Sequence, residues 1–298
     1  MSLDIAKSVH QRLLNKARES SRTFNELLQY YSIERFIYRF SKTPFADCFT
    51  LKGALMLSVW SGSDTRATQD IDLLGRVENS IERITSIIKE SCQVDFESDG
   101  MQFDADSVSA LRITEDAEYD GVRVRLRGNL GNARVHLQID IGFGDIVVPD
   151  VTRIVYPTLL DLPAPELNGY TMESSIAEKF QAMVKLGVLN SRMKDFYDIW
   201  MLSRRFDFKG ELLAEAVQRT FSNRNTPIPT VFDPIFLEDQ TKQAQWVGFI
   251  RKSNLSDAPA SLEEVVTAVK DFLGPVTRSL SQGQSFQRTW DAPGPWRQ

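Results

Sequence analysis

The chain has 298 residues, 42 % of them apolar, and a formal net charge of −5. That suffices for a packed core and up to two modest domains, and it excludes a protein that is basic throughout. No apolar run reaches the roughly 18–20 residues of a membrane-spanning helix, and the first residues lack the charged-then-apolar order of a signal peptide, so a cytoplasmic protein with no membrane partner is expected.

The first 47 residues predict helices, with apolar residues at three- and four-residue spacing ending at the cluster Ser41-Lys42-Thr43-Pro44. A short apolar stretch, Phe49-Thr50-Leu51, leads to Lys52-Gly53-Ala54 and a short helix over 55–60. Residues 61–65 read as a loop. Asp70-Ile71-Asp72-Leu73-Leu74 alternates as a strand does, and 79–89 predicts a helix with an isoleucine face. Strands over 111–114 and 122–127 flank Asp120-Gly121, a hairpin signal. A further strand covers 135–141. The proline-rich stretch 157–165 reads as a linker or strap. Helices follow over 172–186, 192–203, 209–221, 239–250 and 262–272. The Gly-, Pro-, Ser- and Gln-rich end from Gly274 predicts a loosely ordered tail.

The chemistry centres on carboxylates. Asp70 and Asp72, two apart on a strand, point to one face while Ile71 points to the core. Held side by side they repel unless a cation lies between them, which makes the pair a divalent-metal clamp or a solvated strand end. Asp140 lies on the polar face of a second strand, with His136 and Gln138, opposite the apolar Val135, Leu137, Ile139 and Ile141. If the strands are neighbours, three carboxylates converge. Cys48, Cys92, His10 and His136 have no metal-ligand spacing, so oxygen ligands and a hard cation, Mg²⁺ or Mn²⁺, are expected. Gly53 opens a turn before a helix, where backbone N–H groups can approach a triphosphate.

Two basic features stand out in the acidic chain. Arg123, Arg125 and Arg127 alternate along one strand, either as a solvated face or as a wall for an RNA backbone. The segment 178–205 is net positive through Lys179, Lys185, Arg192, Lys194, Arg204 and Arg205.

The same residues carry a resemblance. Phe49-Thr50-Leu51-Lys52-Gly53-Ala54-Leu55, followed by Arg66, Thr68, Asp70 and Asp72 in the spacing Arg-x-Thr-x-Asp-x-Asp, resembles the first motif of the AbiEii/AbiGii toxins, a family of polymerase-β-like nucleotidyltransferases. Lys179 and Ala182 resemble the family's Lys-x-x-Ala motif, and Arg192, Lys194, Asp195 and Asp198 its Arg-x-Lys-Asp-x-x-Asp motif. The helix beginning at Tyr31 resembles the one preceding the first motif in one branch. The chain departs in having Ala54 where the superfamily has Gly or Ser, and Leu186 where an arginine often follows.

The resemblance implies an α+β fold: a polymerase-β-like nucleotidyltransferase domain with a small mixed sheet and N-terminal helices over 1–160, then a helical C-terminal domain over 161–275 completing the active site and acceptor groove, then a tail over 276–298. It implies Asp70, Asp72, Lys179, Asp195 and Asp198 as catalytic residues, and Lys52, Gly53, Ala54, Arg66, Thr68 and Lys179 as nucleotide contacts. Asp70, Asp72 and Asp140 are the expected metal ligands. Arg123, Arg125, Arg127, Lys185, Arg192 and Lys194 are the expected RNA contacts. Thr68 matches a position that can be phosphorylated in a neutralising reaction. The implied activity is transfer of a nucleoside monophosphate from an NTP to RNA, the tRNA 3′ end in many family members, which blocks aminoacylation. A partner antitoxin and a role in phage defence follow from the same resemblance. The rivals are a protein-AMPylating or small-molecule nucleotidyltransferase and a degenerate nucleotide-binding protein.

Overall fold

The computed structural model describes residues 2–20, 22–62, 66, 68–115, 119–231 and 240–298. The chain divides into two compact units, Met1–Gly144 with Thr152–Tyr170, and Asp145–Val151 with Thr171–Gln298.

The first unit opens with helices α1 (Ser2–Glu19) and α2 (Phe24–Phe40). The Thr23 hydroxyl caps α2 by accepting the Glu26 N–H. Strand β1 (Phe49–Lys52), helix α3 (Ala54–Ser61), strand β2 (Asp70–Gly75) and helix α4 (Ile81–Gln93) follow. The isoleucine face read in the sequence buries Ile84, Ile87 and Ile88 of α4. Then come strands β3 (Met101–Glu115), β4 (Tyr119–Leu130), β5 (Ala133–Phe143), β6 (Thr152–Val155) and β7 (Glu166–Gly169). They form a seven-stranded mixed sheet in the order β3-β4-β5-β2-β1-β7-β6. β2 runs parallel to β5, and β1 parallel to β7, while the remaining neighbours are antiparallel.

Two sequence expectations change here, and one open reading is decided. Asp120 and Gly121 lie inside β4, opposite Thr114 and Ile113, not at a turn; the connection 116–118 is outside the described residues. Gly121 answers a packing need, since a Cβ there would approach Ile113 Cγ1 to 3.0 Å and the Ile141 carbonyl to 3.2 Å. β3 is much longer than 111–114: it starts at Met101, and its pairing with β4 shifts register between Asp104 and Ser109, so the alternation of its first residues does not run on into 111–114. Of the two readings of the proline-rich stretch 157–165, linker or strap, it is the strap: it joins β6 to its antiparallel neighbour β7 within the first unit.

A buried polar clamp ties α2 to this unit. The Arg39 guanidinium donates to both Asp99 oxygens, at 2.6 and 3.0 Å, and to the Phe96 and Met101 carbonyls, so a charge removed from water is fully bonded.

The second unit contains helices α5 (Met172–Leu186), α6 (Met193–Arg205), α7 (Gly210–Asn223), α8 (Gln240–Ser253) and α9 (Leu262–Ser281). Asp239, where the sequence begins α8, lies outside the described residues. Short strands β8 (Phe208–Lys209), β9 (Thr289–Trp290) and β10 (Trp296–Arg297) form a three-stranded sheet in the order β10-β9-β8. Residues 145–151 join this unit as a strap: the Val148 carbonyl accepts from Thr171 Oγ1 at 2.6 Å and Ser174 Oγ at 3.0 Å.

The expectation of a loose tail from Gly274 does not hold. α9 continues through Gly274 and Pro275, burying Val276. Beyond it Phe286, Trp290 and Trp296 are buried around Phe272. The Trp290 indole donates to the Ser203 carbonyl at 2.6 Å and that of Trp296 to the Phe272 carbonyl at 2.7 Å. Glycine and proline frequency hid three aromatic anchors, whose apolar area outweighs the weak local propensity.

Candidate active site

The site grows out of register. Lys52 of β1 lies opposite Asp72 of β2, Asp72 opposite Asp140 of β5, and Asp140 opposite Arg123 of β4. One row across four strands therefore carries a cation, two carboxylates and a cation. The next row places Asp70 opposite Gln138, and Gln138 opposite Arg125. The intervening Ile71, Val124 and Ile139 point the other way and are buried. Alternation puts these polar groups on one face, and the pairing register of the four strands brings them together.

Gly53 completes the cradle. Its φ of 70° and ψ of −150° lie in a region essentially reserved for glycine. It caps α3, and a Cβ there would run into the Asp72 carboxylate, 2.8 Å from Cγ. Glycine thus lets the backbone press against the Asp72 carboxylate with no side chain between. Ala54 is the first residue of α3 and is buried. The Lys52 ammonium sits 5.4 Å from the centre of the Tyr170 ring.

Helix α2 fixes the approach to β2. The Tyr30 hydroxyl accepts from the Thr68 N–H at 3.0 Å and donates to the Arg66 carbonyl at 3.4 Å. Burial raises the Tyr30 pKa, so the hydroxyl keeps its proton for this bond. Gln29 donates to the carbonyls of Gln69 at 3.3 Å and His136 at 3.1 Å, stitching β2 to β5. Arg66 is buried, and the Thr68 hydroxyl lies 3.5 Å from the Asp70 carbonyl. Sequence reasoning missed Gln29 and Tyr30, which there are indistinguishable from other residues of an amphipathic helix.

Asp140 is engaged. Arg123 Nε and Nη2 reach its two oxygens at 2.7 Å each, a bidentate fork. The other arginines of the expected basic wall share its face and are also in contact: Arg127 with Asp104 at 2.6 Å, Arg125 with Gln138 at 3.3 Å. The Arg127 hydrogen bond holds the Asp104 carboxyl below its usual pKa.

The donor set bears on whether a divalent ion fits here. Among the described residues, no three carboxylate, imidazole or thiol groups are grouped closely enough to hold one ion. Mg²⁺, however, commonly takes only one or two carboxylates and completes its shell with water and substrate phosphates. Asp70 and Asp72, all-oxygen, half-buried and on one face under the Gly53 turn, fit that need. Asp140 stands beside them with its charge shared with Arg123.

The second unit holds its own cluster. Lys179 Nζ lies 2.9 Å from Asp198 Oδ2 and 3.4 Å from Asp195 Oδ1, and Arg192 Nε is 2.9 Å from Asp195 Oδ2. Both aspartates are buried, and Lys179 keeps 13 % of its side chain exposed. Two separated motifs of the sequence therefore meet in one ion-pair network between α5 and α6. Lys185 and Lys194 are exposed on the same helices.

A mixed sheet with a strand-borne aspartate pair under a glycine turn defines the class, a nucleotidyltransferase. The profile described as nucleotidyl transferase AbiEii toxin, type IV TA system, matches residues 35–269, and the chain belongs to that family. In fold it is similar to MenT4, a nucleotidyltransferase toxin from Mycobacterium tuberculosis H37Rv, at 14 % identity and a TM-score of 0.51, over 94 % of this chain and 99 % of that one. It also aligns with JHP933 from Helicobacter pylori at 15 % identity and a TM-score of 0.46, over 87 % and 93 % of the two chains. No curated protein matches it. Among the described residues no helix is long and apolar enough to cross a membrane.

Proposed function

We propose that the protein transfers a nucleoside monophosphate from an NTP to an RNA acceptor, the tRNA 3′ end, and so blocks aminoacylation and translation. The observation that carries this reading is the register that sets Asp72 beside Asp140, with Asp70 on the same face of β2 and Gly53 against Asp72. A nucleotide-binding scaffold alone has no need of an aspartate pair on one face of a strand, with a third aspartate in the neighbouring strand, since like charges held close cost stability unless a cation balances them.

In the reaction the acceptor hydroxyl oxygen bonds to the α-phosphorus of the NTP. The bond from that phosphorus to the bridging oxygen breaks, and pyrophosphate leaves with the electron pair. The hydroxyl proton passes to a carboxylate of the row. Asp70 and Asp72 would hold Mg²⁺, which when bound supplies charge neutralisation on the phosphates. The backbone at Gly53 and the start of α3 give the triphosphate a surface of N–H groups, with Lys52 and Arg66 as nearby cations. Roles for Lys179 at the triphosphate and for Asp195 and Asp198 in catalysis rest on the motif match. A cognate antitoxin and control through Thr68 rest on family membership, as does phage defence.

Incubation with Mg²⁺, each labelled NTP in turn and total tRNA tests the reading, with Asp70→Ala as control. Label on tRNA that disappears in the variant supports it. Label on the protein instead points to AMPylation, and no label on any acceptor rejects the transferase reading.

A further inference from the structure

A groove of about 1030 Å³ opens between the first turn of α2 and strands β3, β4 and β5. It begins at Asp70 and follows β5 away from the carboxylate row, past Gln138 and His136 to Arg134, with Arg125 and Arg127 of β4 alongside. Residues 138 to 134 cover roughly 13 Å of strand.

Its charge can be read pair by pair. Glu26 at the rim is matched by Arg22 at 3.5 Å, and Arg127 by Asp104. Arg125 contacts the neutral Gln138, and Arg134 is exposed. Arg125 and Arg134 thus leave the β4–β5 wall cationic, with Asp70 at the acidic end of the groove, in a chain of net charge −5. Between the cations lie hydroxyls and amides, including Ser107, Ser109 and Gln69. Among the described residues no Phe, Tyr or Trp lines it, so bases would be met at their edges, by guanidinium planes and by the single imidazole of His136.

We infer that this groove is the acceptor channel. It takes the last nucleotides of a single-stranded RNA 3′ end, sets their phosphates against Arg125 and Arg134, and delivers the terminal hydroxyl to Asp70. A single strand is favoured over a duplex because exposed base edges and 2′-hydroxyls match a concave wall of amides and hydroxyls, whereas a duplex keeps most base edges inside its grooves. The inference rests on the transferase reading above, whose failure is detected separately.

The test is binding of a 5′-fluorescent eight-nucleotide single-stranded RNA to the full chain, titrated over a range of salt concentrations. Arg125→Ala with Arg134→Ala is expected to weaken binding at least tenfold and to flatten the slope of log affinity against log salt by roughly 1.4, about 0.7 for each lost phosphate contact. Arg125→Lys with Arg134→Lys, which keeps both charges, is expected to restore most of the slope. In transfer assays the alanine pair is expected to raise KM for RNA while KM for NTP stays unchanged. An unchanged RNA affinity and slope in the alanine pair overturns the inference. So does displacement of the oligonucleotide by NTP alone, which would make the groove the nucleotide pocket, and so does tighter binding of a blunt RNA duplex than of the single strand. Wild-type protein that binds the oligonucleotide through these arginines yet transfers nothing to RNA would reject the transferase reading and leave the groove standing as an RNA site.

Discussion

Arg123 grips Asp140 through both carboxylate oxygens, at 2.7 Å each, while Asp140 lies in register beside Asp72. The arginine offsets the repulsion that two neighbouring aspartates would otherwise create. Arg123→Ala is expected to destabilise the metal-free protein by about 1–2 kcal/mol, the guanidinium being about one-third exposed and its pair partly screened. Added Mg²⁺ is expected to recover more stability in the variant than in wild type. Thermal unfolding of both proteins with and without Mg²⁺ checks this, and equal gains would contradict it.

Gly53→Ala combines a backbone conformation that only glycine adopts comfortably with a collision against Asp72. A cost of about 1–3 kcal/mol in stability is expected from the backbone alone. Displacing the carboxylate by a fraction of an ångström to an ångström is expected to lower turnover about 100-fold. Activity normalised to folded protein separates the two effects. An alanine variant with wild-type turnover would remove Gly53 from the site.

Lys179 stands between two buried aspartates. Lys179→Ala removes the cation 2.9 Å from Asp198 and 3.4 Å from Asp195 and is expected to destabilise the fold by about 3 kcal/mol, the cost of breaking into a buried ion-pair network. Lys179→Ala with Asp198→Asn is expected to recover much of that. Loss of activity in Lys179→Ala alone is therefore not a measure of chemistry. The informative comparison is activity of the stability-restored double variant, expected to remain low.

Glu34 gives the pH dependence. Burial pushes its carboxyl up to about 7 from the usual 4.5, against the opposing pull of Arg35, 2.8 Å away. Its folded-state pKa is raised, so its contribution is fully present below about pH 4.5 and is lost as pH rises through about 7. The decline amounts to something on the order of 3 kcal/mol. Glu34→Gln is expected to flatten denaturant stability across that window, and an unchanged slope would contradict the assignment.

The C-terminal aromatic cluster predicts a structural role for residues beyond α9. Trp290→Ala is expected to cost about 3–5 kcal/mol, because it empties the space against Phe272 and leaves the Ser203 carbonyl without its indole donor. Urea unfolding followed by tryptophan fluorescence reads this directly.

Much of the fold and the outline of the site were legible in the sequence, for a physical reason. Alternation at Asp70-Ile71-Asp72 and along 135–141 is forced by one apolar and one polar sheet face, so strand identity and facing could be read together. That β2 and β5 are neighbours could not, since pairing of strands separated by some 60 residues is a property of tertiary packing. For the same reason the Arg123–Asp140 fork and the Tyr30 bonds to residues 66 and 68 were invisible: each joins segments whose residues are individually ordinary. β6 and β7 are four residues each and too short to show a period. The C-terminal sheet was obscured because glycine and proline signal turns without saying what the intervening tryptophans bury.

The most direct measurement concerns Asp70 and Asp72 themselves. Asp70→Asn and Asp72→Asn keep the shape of each side chain and remove its charge. With wild-type folding verified by circular dichroism, each is expected to lower transfer of labelled NTP to tRNA by at least about 1,000-fold, the loss of a group acting on phosphate charge in the transition state. Transfer at wild-type rates by either folded variant would contradict a catalytic centre built on this pair.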